Sequence, residues 1–172
     1  MNNQIRPGEV RDIDAVRDLE RRSTVRFEHT AFSHHIGEEP TDAAHLVQRV
    51  ADGGFLVTVQ DDHPIAFVIF REVEGCGYIE QIDVDPDHAG RRLGAALLDA
   101  VAEVGRARGW PALTLSTYRD IPWNAPWYRR LGFADWAFDD LDTGHRAIRE
   151  DHIAHGVAED QRVFMRRPIA SH

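Results

Sequence analysis

The sequence predicts a mixed α/β (α+β) fold: a mostly antiparallel sheet with one parallel strand pair, flanked by helices. Three observations carry that reading. Two β-rich runs, Phe55–Gln60 and Ile65–Glu72, are joined by the short polar stretch Asp61-Asp62-His63-Pro64 and pair most economically as an antiparallel hairpin. A strand–helix–strand order from Tyr78 to Thr117 calls for a right-handed crossover, which makes its two strands parallel. Elsewhere apolar residues recur at the three-to-four spacing of amphipathic helices.

In chain order, Val10–Arg22 places Val10, Ile13, Val16 and Leu19 on one helix face, with Asp12 and Asp14 near its start, where carboxylates suit the dipole. Thr41–Val50 reads as a second helix, capped by Thr41 or Asp42, with Leu46, Val47 and Val50 on one side and Gly53-Gly54 as its end. After the hairpin, Glu74-Gly75-Cys76-Gly77 reads as a turn and Gly77–Val84 as a third strand. Leu93, Leu97, Val101 and Val104 then form the stripe of the best-defined helix, which Gly109 and Pro111 stop. Ala112–Thr117 is a short strand, Asn124–Leu131 a short helix, and Gly132-Phe133 begins a return to the sheet. A helix near His145–His155 and a strand at Arg162–Arg166 complete the chain, with no internal repeat.

A chain of 172 residues is expected to form a single domain, 1–172, and 42% apolar with 28% charged residues is a globular composition. The net charge of −9 argues against sequence-independent binding to nucleic acid or an anionic membrane and favours a cationic substrate. Cys76 is the only cysteine, which excludes an intramolecular disulfide and a thiolate metal cage, and its turn-like setting makes it an incidental thiol. The first residues, Met-Asn-Asn-Gln-Ile-Arg-Pro, lack an apolar signal core and no run reaches membrane-spanning length, so a cytoplasmic location is expected.

The most informative stretch is Val84–Leu98, where an apolar strand runs through a glycine-bearing turn into a helix. The first N–H groups of a helix have no carbonyl partner within it, and the dipole adds positive charge at the same end, so this order of elements suits phosphate. Gly90 and Gly94 let a ligand approach the main chain, and Arg91 and Arg92 add cationic donors. An ordinary strand-to-helix connection with solvated arginines accounts for the same residues.

The order of helices, antiparallel meander, glycine-loop crossover and closing αβ pair resembles the GNAT acetyltransferase superfamily over roughly Ile5 to Met165. Its pyrophosphate loop, Gln/Arg-x-x-Gly-x-Gly/Ala, falls on Ala89-Gly90-Arg91-Arg92-Leu93-Gly94. Two positions depart: Ala89 replaces the usual Gln/Arg, and Arg92 stands where glycine is common. The segment Trp123-Asn124-Ala125-Pro126-Trp127-Tyr128-Arg129-Arg130-Leu131-Gly132-Phe133 resembles the superfamily's Asn…Tyr…Gly-Phe signature. The resemblance implies a twisted sheet whose parallel pair is splayed, and acetyl-coenzyme A as ligand. The amides from Gly90 through Arg91, Arg92, Leu93 and Gly94 to Ala95 would bind its pyrophosphate, and the main chain of Ile82, Asp83 and Val84 would pair with its pantetheine arm. Asn124 would hold the pantetheine or a nearby turn.

Acetyl transfer to an amine needs a neutral nucleophile, a stabilised oxyanion and a proton for the departing thiolate. Tyr128, four residues after Asn124, is the expected proton donor; packing against the sheet is its other reading. The oxyanion would be met by a strand amide near Val84. Glu80 shares a strand face with Tyr78, Ile82 and Val84, so desolvation would raise its pKa towards that of a useful base, whereas Asp83 lies on the opposite face. A strand-end glutamate paired with an arginine is the alternative. His29, His34 and His35 lie in the loop-like Phe27–Pro40 and offer further proton acceptors among ten histidines. Because His34 and His35 are adjacent and lack Glu-x-x-His company, no metal site is expected. Trp123, Trp127 and Trp136, with Glu38, Glu39, Asp139 and Asp140, suit an alkylammonium, although core packing and a solvated acidic face explain them as well. The expected activity is an acetyl-CoA-dependent N-acetyltransferase acting on a small-molecule or peptide amine, as a monomer or homodimer. A GNAT-like acyl-CoA sensor with little turnover is the alternative that Ala89 keeps open. A nucleotide enzyme is disfavoured because the turn lacks a Gly-Lys-Ser/Thr ending.

Overall fold

A computed structural model describes residues 3–170. Seven strands form one mixed sheet: β1 Gln4–Pro7, β2 Phe55–Gln60, β3 His63–Val73, β4 Cys76–Val84, β5 Ala112–Tyr118, β6 Ala134–Trp136 and β7 Arg162–Pro168, in the order β1-β2-β3-β4-β5-β7-β6. The helices are α1 Ile13–Ser23, α2 Ala43–Ala51, α3 Leu93–Arg108, α4 Ala125–Arg130 and α5 Thr143–Ala154. The crossover from β4 through α3 makes β4 and β5 parallel, paired at Gly77↔Leu113, Tyr78↔Thr114 and Ile79↔Leu115. That register stops at Ile79 while β4 runs on to Val84, leaving the last five residues of the strand outside the pairing with β5. The expected mixed sheet with a parallel pair is therefore present. Among the described residues, no helix is long and apolar enough to cross a membrane.

The chain divides into two compact units. The first comprises the residues up to Phe70 and Glu80–Val101. Here Ile13, Val16 and Leu19 of α1 and Leu46 of α2 pack on Phe55, Val57 and Val59 of β2 and on Phe67 and Ile69 of β3. The helix expected from Val10 begins as a 3-10 turn, Val10–Asp12, because Asp12 is recruited by Arg6 and the Glu9 N–H and α1 starts only at Ile13. Asp42, not Thr41, caps α2, accepting from Ala44 N–H at 3.4 Å. The hairpin turn is the two residues Asp61 and Asp62, both at positive φ (51° and 62°), the twist that matches flanking strands. His63 and Pro64 belong to β3, and the strand absorbs a proline through a register shift at Thr58/Val59 that leaves Ile65 outside the ladder. The Ile65 carbonyl accepts instead from the Asp85 N–H at 2.9 Å. The short edge strand β1 has no counterpart among the elements expected from sequence.

The second unit comprises Arg71–Ile79 and the chain from Ala102 onward. Its turn between β3 and β4 is Glu74-Gly75 (φ 48° and 70°), so Cys76 is not a turn residue but the buried first residue of β4. Burial pushes its thiol pKa up, in keeping with an inert cysteine. Gly77 is also in the strand, since a Cβ there would lie 2.5 Å from the Trp110 ring. Val73, Tyr78, Leu141, Ile148 and Phe164 form the core, and His145 of α5 is fully buried beside them. Asp142 caps α5, accepting from the His145 N–H at 2.9 Å and from Nδ1 at 2.7 Å. A carboxylate can only accept, so Nδ1 carries the proton and Nε2 accepts from the Thr114 hydroxyl at 2.8 Å. Both ring nitrogens are satisfied, with His145 and Thr114 buried and Asp142 partly exposed, which makes the line a clamp of α5 on β5. Replacing His145 with Ala is expected to cost about 3 kcal/mol, through a cavity and two orphaned partners, read as a lower urea midpoint.

Candidate active site

The glycine turn is built locally. Asp85 follows β4, caps a 3-10 turn at Pro86–His88 by accepting from Asp87 N–H at 3.0 Å, and is paired with Arg22. The chain then passes Gly90 at φ 77° and Arg92 at φ 59° before entering α3. Arg92 adopts the conformation that glycine adopts without strain, at a cost of roughly 1 kcal/mol, so the departure from the superfamily pattern is accommodated rather than refolded. Ala96 N–H bonds the Arg92 carbonyl at 3.1 Å, so the N–H groups of Leu93, Gly94 and Ala95 precede the helix's own ladder. A side-chain-free Gly90 with no atom within 4 Å of its missing Cβ leaves the turn open to a ligand. Arg91 is drawn aside by Gln60 (3.2 Å) and Asn3 (3.1 Å).

On the strand side, Ile82 and Val84 are only half-buried, so the core role open to them is at most partial. Asp83 is buried and bonded by Ser23 Oγ (2.8 Å), Arg26 (2.7 Å) and Gln81, which anchors this end of β4 to the last residue of α1 and the turn after it. Strand alternation puts Asp83 and Glu80 on opposite faces, yet both find their partners on the α1–α2 part of the chain.

Glu80 is the expectation that changes most. Its carboxylate accepts from Arg49 Nε at 2.7 Å and Nη2 at 3.2 Å, and from His45 Nε2 at 3.0 Å. Burial alone pushes the Glu80 pKa up, as expected, but the Arg49 hydrogen bonds and charge and the His45 contact outweigh it, and the net shift is downward. The expected rise is thus corrected: Glu80 is held ionised, and the arginine-paired alternative describes its surroundings. A depressed carboxyl pKa contributes stability above its unfolded value that is lost as pH falls through the folded one. Arg49→Met would strand the charge, with an expected cost of about 3 kcal/mol at neutral pH. That deficit should shrink as acid protonates Glu80, and adding Glu80→Gln should recover most of it in urea titrations.

In the second unit, Asn124 precedes α4 and accepts the Tyr128 N–H on its carbonyl at 3.0 Å. Its Nδ2 donates to Thr117 Oγ1 of β5 at 2.8 Å, which fixes the amide and leaves Oδ1 buried without a hydrogen-bond partner. An orphaned buried acceptor in a native fold points to an absent donor. Tyr128 is buried, its ring edge-to-face with Trp127 (4.8 Å) and Phe133 (5.5 Å).

His29 and His34 are exposed, and His35 bonds Glu38 at 2.7 Å between the rings of Phe27 and Phe32. Turn geometry brings His34, His35 and Glu38 within 4.8 Å of one another, a grouping that spacing alone did not reveal. Trp136 packs on His145 with Arg166 over its ring, a structural role, while Glu38, Glu39, Asp139 and Asp140 are exposed. Sequence reasoning missed His45 and Arg49; the available signal was their i, i+4 spacing on α2.

The model of the Acetyltransferase (GNAT) family matches residues 13–133. Among solved structures, the chain is similar to the ribosomal-protein-S18-alanine N-acetyltransferase from Escherichia coli (20% identity, 99% of this chain and 96% of that one, TM-score 0.67). It is similar to the PaiA N-acetyltransferase from Thermoplasma acidophilum, solved with coenzyme A (16%, 98% and 99%, TM-score 0.71). A nourseothricin acetyltransferase shares 30% identity over 67% of this chain and 65% of that one, with a TM-score of 0.52. The match over residues 13–133 shows that the chain belongs to the acetyltransferase (GNAT) family.

Proposed function

We propose that this protein is an acetyl-CoA-dependent N-acetyltransferase that transfers the acetyl group to a primary amine of a small molecule or peptide by direct attack. The observation that carries the reading is the open turn at Gly90–Arg92 leading into the unpaired N–H groups at the start of a 16-residue helix. Acetyl-CoA supplies an activated acetyl thioester. Around it, the amides from Gly90 to Ala95 hold the pyrophosphate, with Arg92 as the nearby cation. The main chain of Ile82, Asp83 and Val84, outside the pairing with β5, bonds the pantetheine arm as an added strand, and the Val84 N–H meets the developing oxyanion. In the second unit, an amide N–H of a ligand would satisfy the orphaned acceptor Asn124 Oδ1. Tyr128 gives its hydroxyl proton to the leaving sulfur. Glu80 contributes a fixed negative charge that draws in the acceptor's ammonium.

For the acceptor we favour a small cationic amine, supported by the net charge of −9 and by the 30% identity with a nourseothricin acetyltransferase. The reading treats residues 1–172 as one acetyltransferase domain, working as a monomer or homodimer in the cytoplasm. Thiol release from acetyl-CoA with a panel of diamines, amino sugars and peptide N-termini tests it. Turnover with cationic small amines is expected; turnover confined to peptides would overturn the acceptor class.

A further inference from the structure

We propose that His45 is the base that removes the acceptor's proton, with Glu80 and Arg49 holding it in position. The inference rests on the acetyltransferase reading and concerns residues within the first unit only. His45 and Arg49 lie one turn apart on α2 and meet the same carboxylate: Glu80 Oε2 is 3.0 Å from His45 Nε2 and 2.7 Å from Arg49 Nε. Arg49 is itself fixed on Asp52 at 2.7 Å. Exposure is graded along this line, with side-chain accessibilities of 7% for Arg49, 15% for Glu80 and 36% for His45. The far end is therefore sealed and the imidazole is reachable by solvent and substrate. Of the elements packed on α2, α1 and β2 meet it through apolar Val16, Leu19, Phe55 and Val57, and the 3-10 turn Val10–Asp12 brings Arg11 and Asp12, which pair with Asp62 and Arg6; Glu80 bonds the imidazole itself, and Arg49 bonds Glu80.

The tautomer follows from the partner. An ionised carboxylate accepts only, so neutral His45 carries its proton on Nε2 and keeps a lone pair on Nδ1. This is the logic by which a buried carboxylate sets imidazole bases elsewhere: it fixes the ring, selects the tautomer and stabilises the imidazolium once formed. Glu80 is poorly suited to take the proton itself, because its own lone pairs are engaged by Arg49 and His45. In the reaction, His45 Nδ1 accepts the surplus proton of the ammonium. The freed nitrogen pair forms the C–N bond to the acetyl carbon and the C–S bond breaks; the departing sulfur is protonated, and the nitrogen's second surplus proton returns through water to the group that protonated it, leaving a neutral amide and a thiol. His45 then returns its proton to water.

Two measurements test this. Long-range ¹H–¹⁵N correlation of the histidine rings in the free protein should show neutral His45 in the Nε2–H form, and Glu80→Gln should mix the tautomers; a dominant Nδ1–H form in the parent would overturn the proposal. In turnover, His45→Gln should lower kcat/KM roughly 10²-fold near neutral pH, with the deficit closing as pH approaches the amine's own pKa and added imidazole restoring part of the rate. Acetyl-CoA affinity should be unchanged, and His45→Asn should behave alike, which guards against a folding artefact. A loss of the same size at every pH, or no loss, overturns the base assignment. Absence of turnover with every amine would instead defeat the acetyltransferase reading, while the ring spectra would still decide the tautomer.

Discussion

Tyr128→Phe lowers kcat by roughly 10²-fold or more while leaving acetyl-CoA affinity close to that of the parent, if the hydroxyl protonates the departing sulfur. The substitution removes one oxygen and keeps the ring that packs edge-to-face on Trp127 and Phe133, so the packing reading and the chemical reading make different forecasts. Packing alone predicts little change in kcat, because the aromatic contacts survive. An acceptor whose ammonium has a lower pKa should not rescue the variant, since the lost proton serves the thiolate and not the amine. Equal kcat in variant and parent would return Tyr128 to the core.

The second large effect is expected at Gly94, the buried second residue of α3, whose N–H belongs to the set that precedes the helix's ladder. Acetyl-CoA, binding the folded state alone, should stabilise the parent by about 2.7 kcal/mol at a hundredfold excess over its Kd. Gly94→Val sets a branched side chain beside the proposed pyrophosphate site and should abolish most of that shift. Adenosine alone should give much less in either protein. A full shift in the Val variant would place the cofactor elsewhere.

Elements whose cause is local were legible in the sequence. The stripe of Leu93, Leu97 and Val101, stopped at Gly109, marks α3, and β2 runs over Phe55–Gln60 as its β-rich composition indicates. Where the cause is tertiary, local reading failed. Gln4–Pro7 has one aliphatic side chain and is a strand only because β2 pairs with it. Gly75-Cys76-Gly77 looks like a turn, but Gly77 is there so that Trp110 can lie against the backbone. Pro64 entered the strand because a bulge removed the need for its missing N–H.

The site divides in the same way. The glycine loop, the Asn124–Tyr128 spacing and the Glu80 carboxylate could all be picked out from residue types and their order. The electrostatics of Glu80 could not, since Arg49 and His45 lie 31 and 35 residues upstream and only the docking of α2 beside β4 brings them to it. Alternation along β4 predicted a desolvated carboxylate with a raised pKa; the buried guanidinium reversed the sign. The orphaned Asn124 Oδ1 belongs to the same class, being visible only once Thr117 has claimed the other end of the amide.

The most direct test of the central claim is a mass balance. Purified protein, acetyl-CoA and the best amine of the panel are mixed, and free thiol, acetylated acceptor and protein mass are followed together. The account predicts that each thiol released is matched by one acetyl group on the acceptor nitrogen, over many turnovers, with the protein mass unchanged throughout. Acetyl-CoA that binds in calorimetry but stays intact with every amine would contradict it and leave an acyl-CoA sensor in its place.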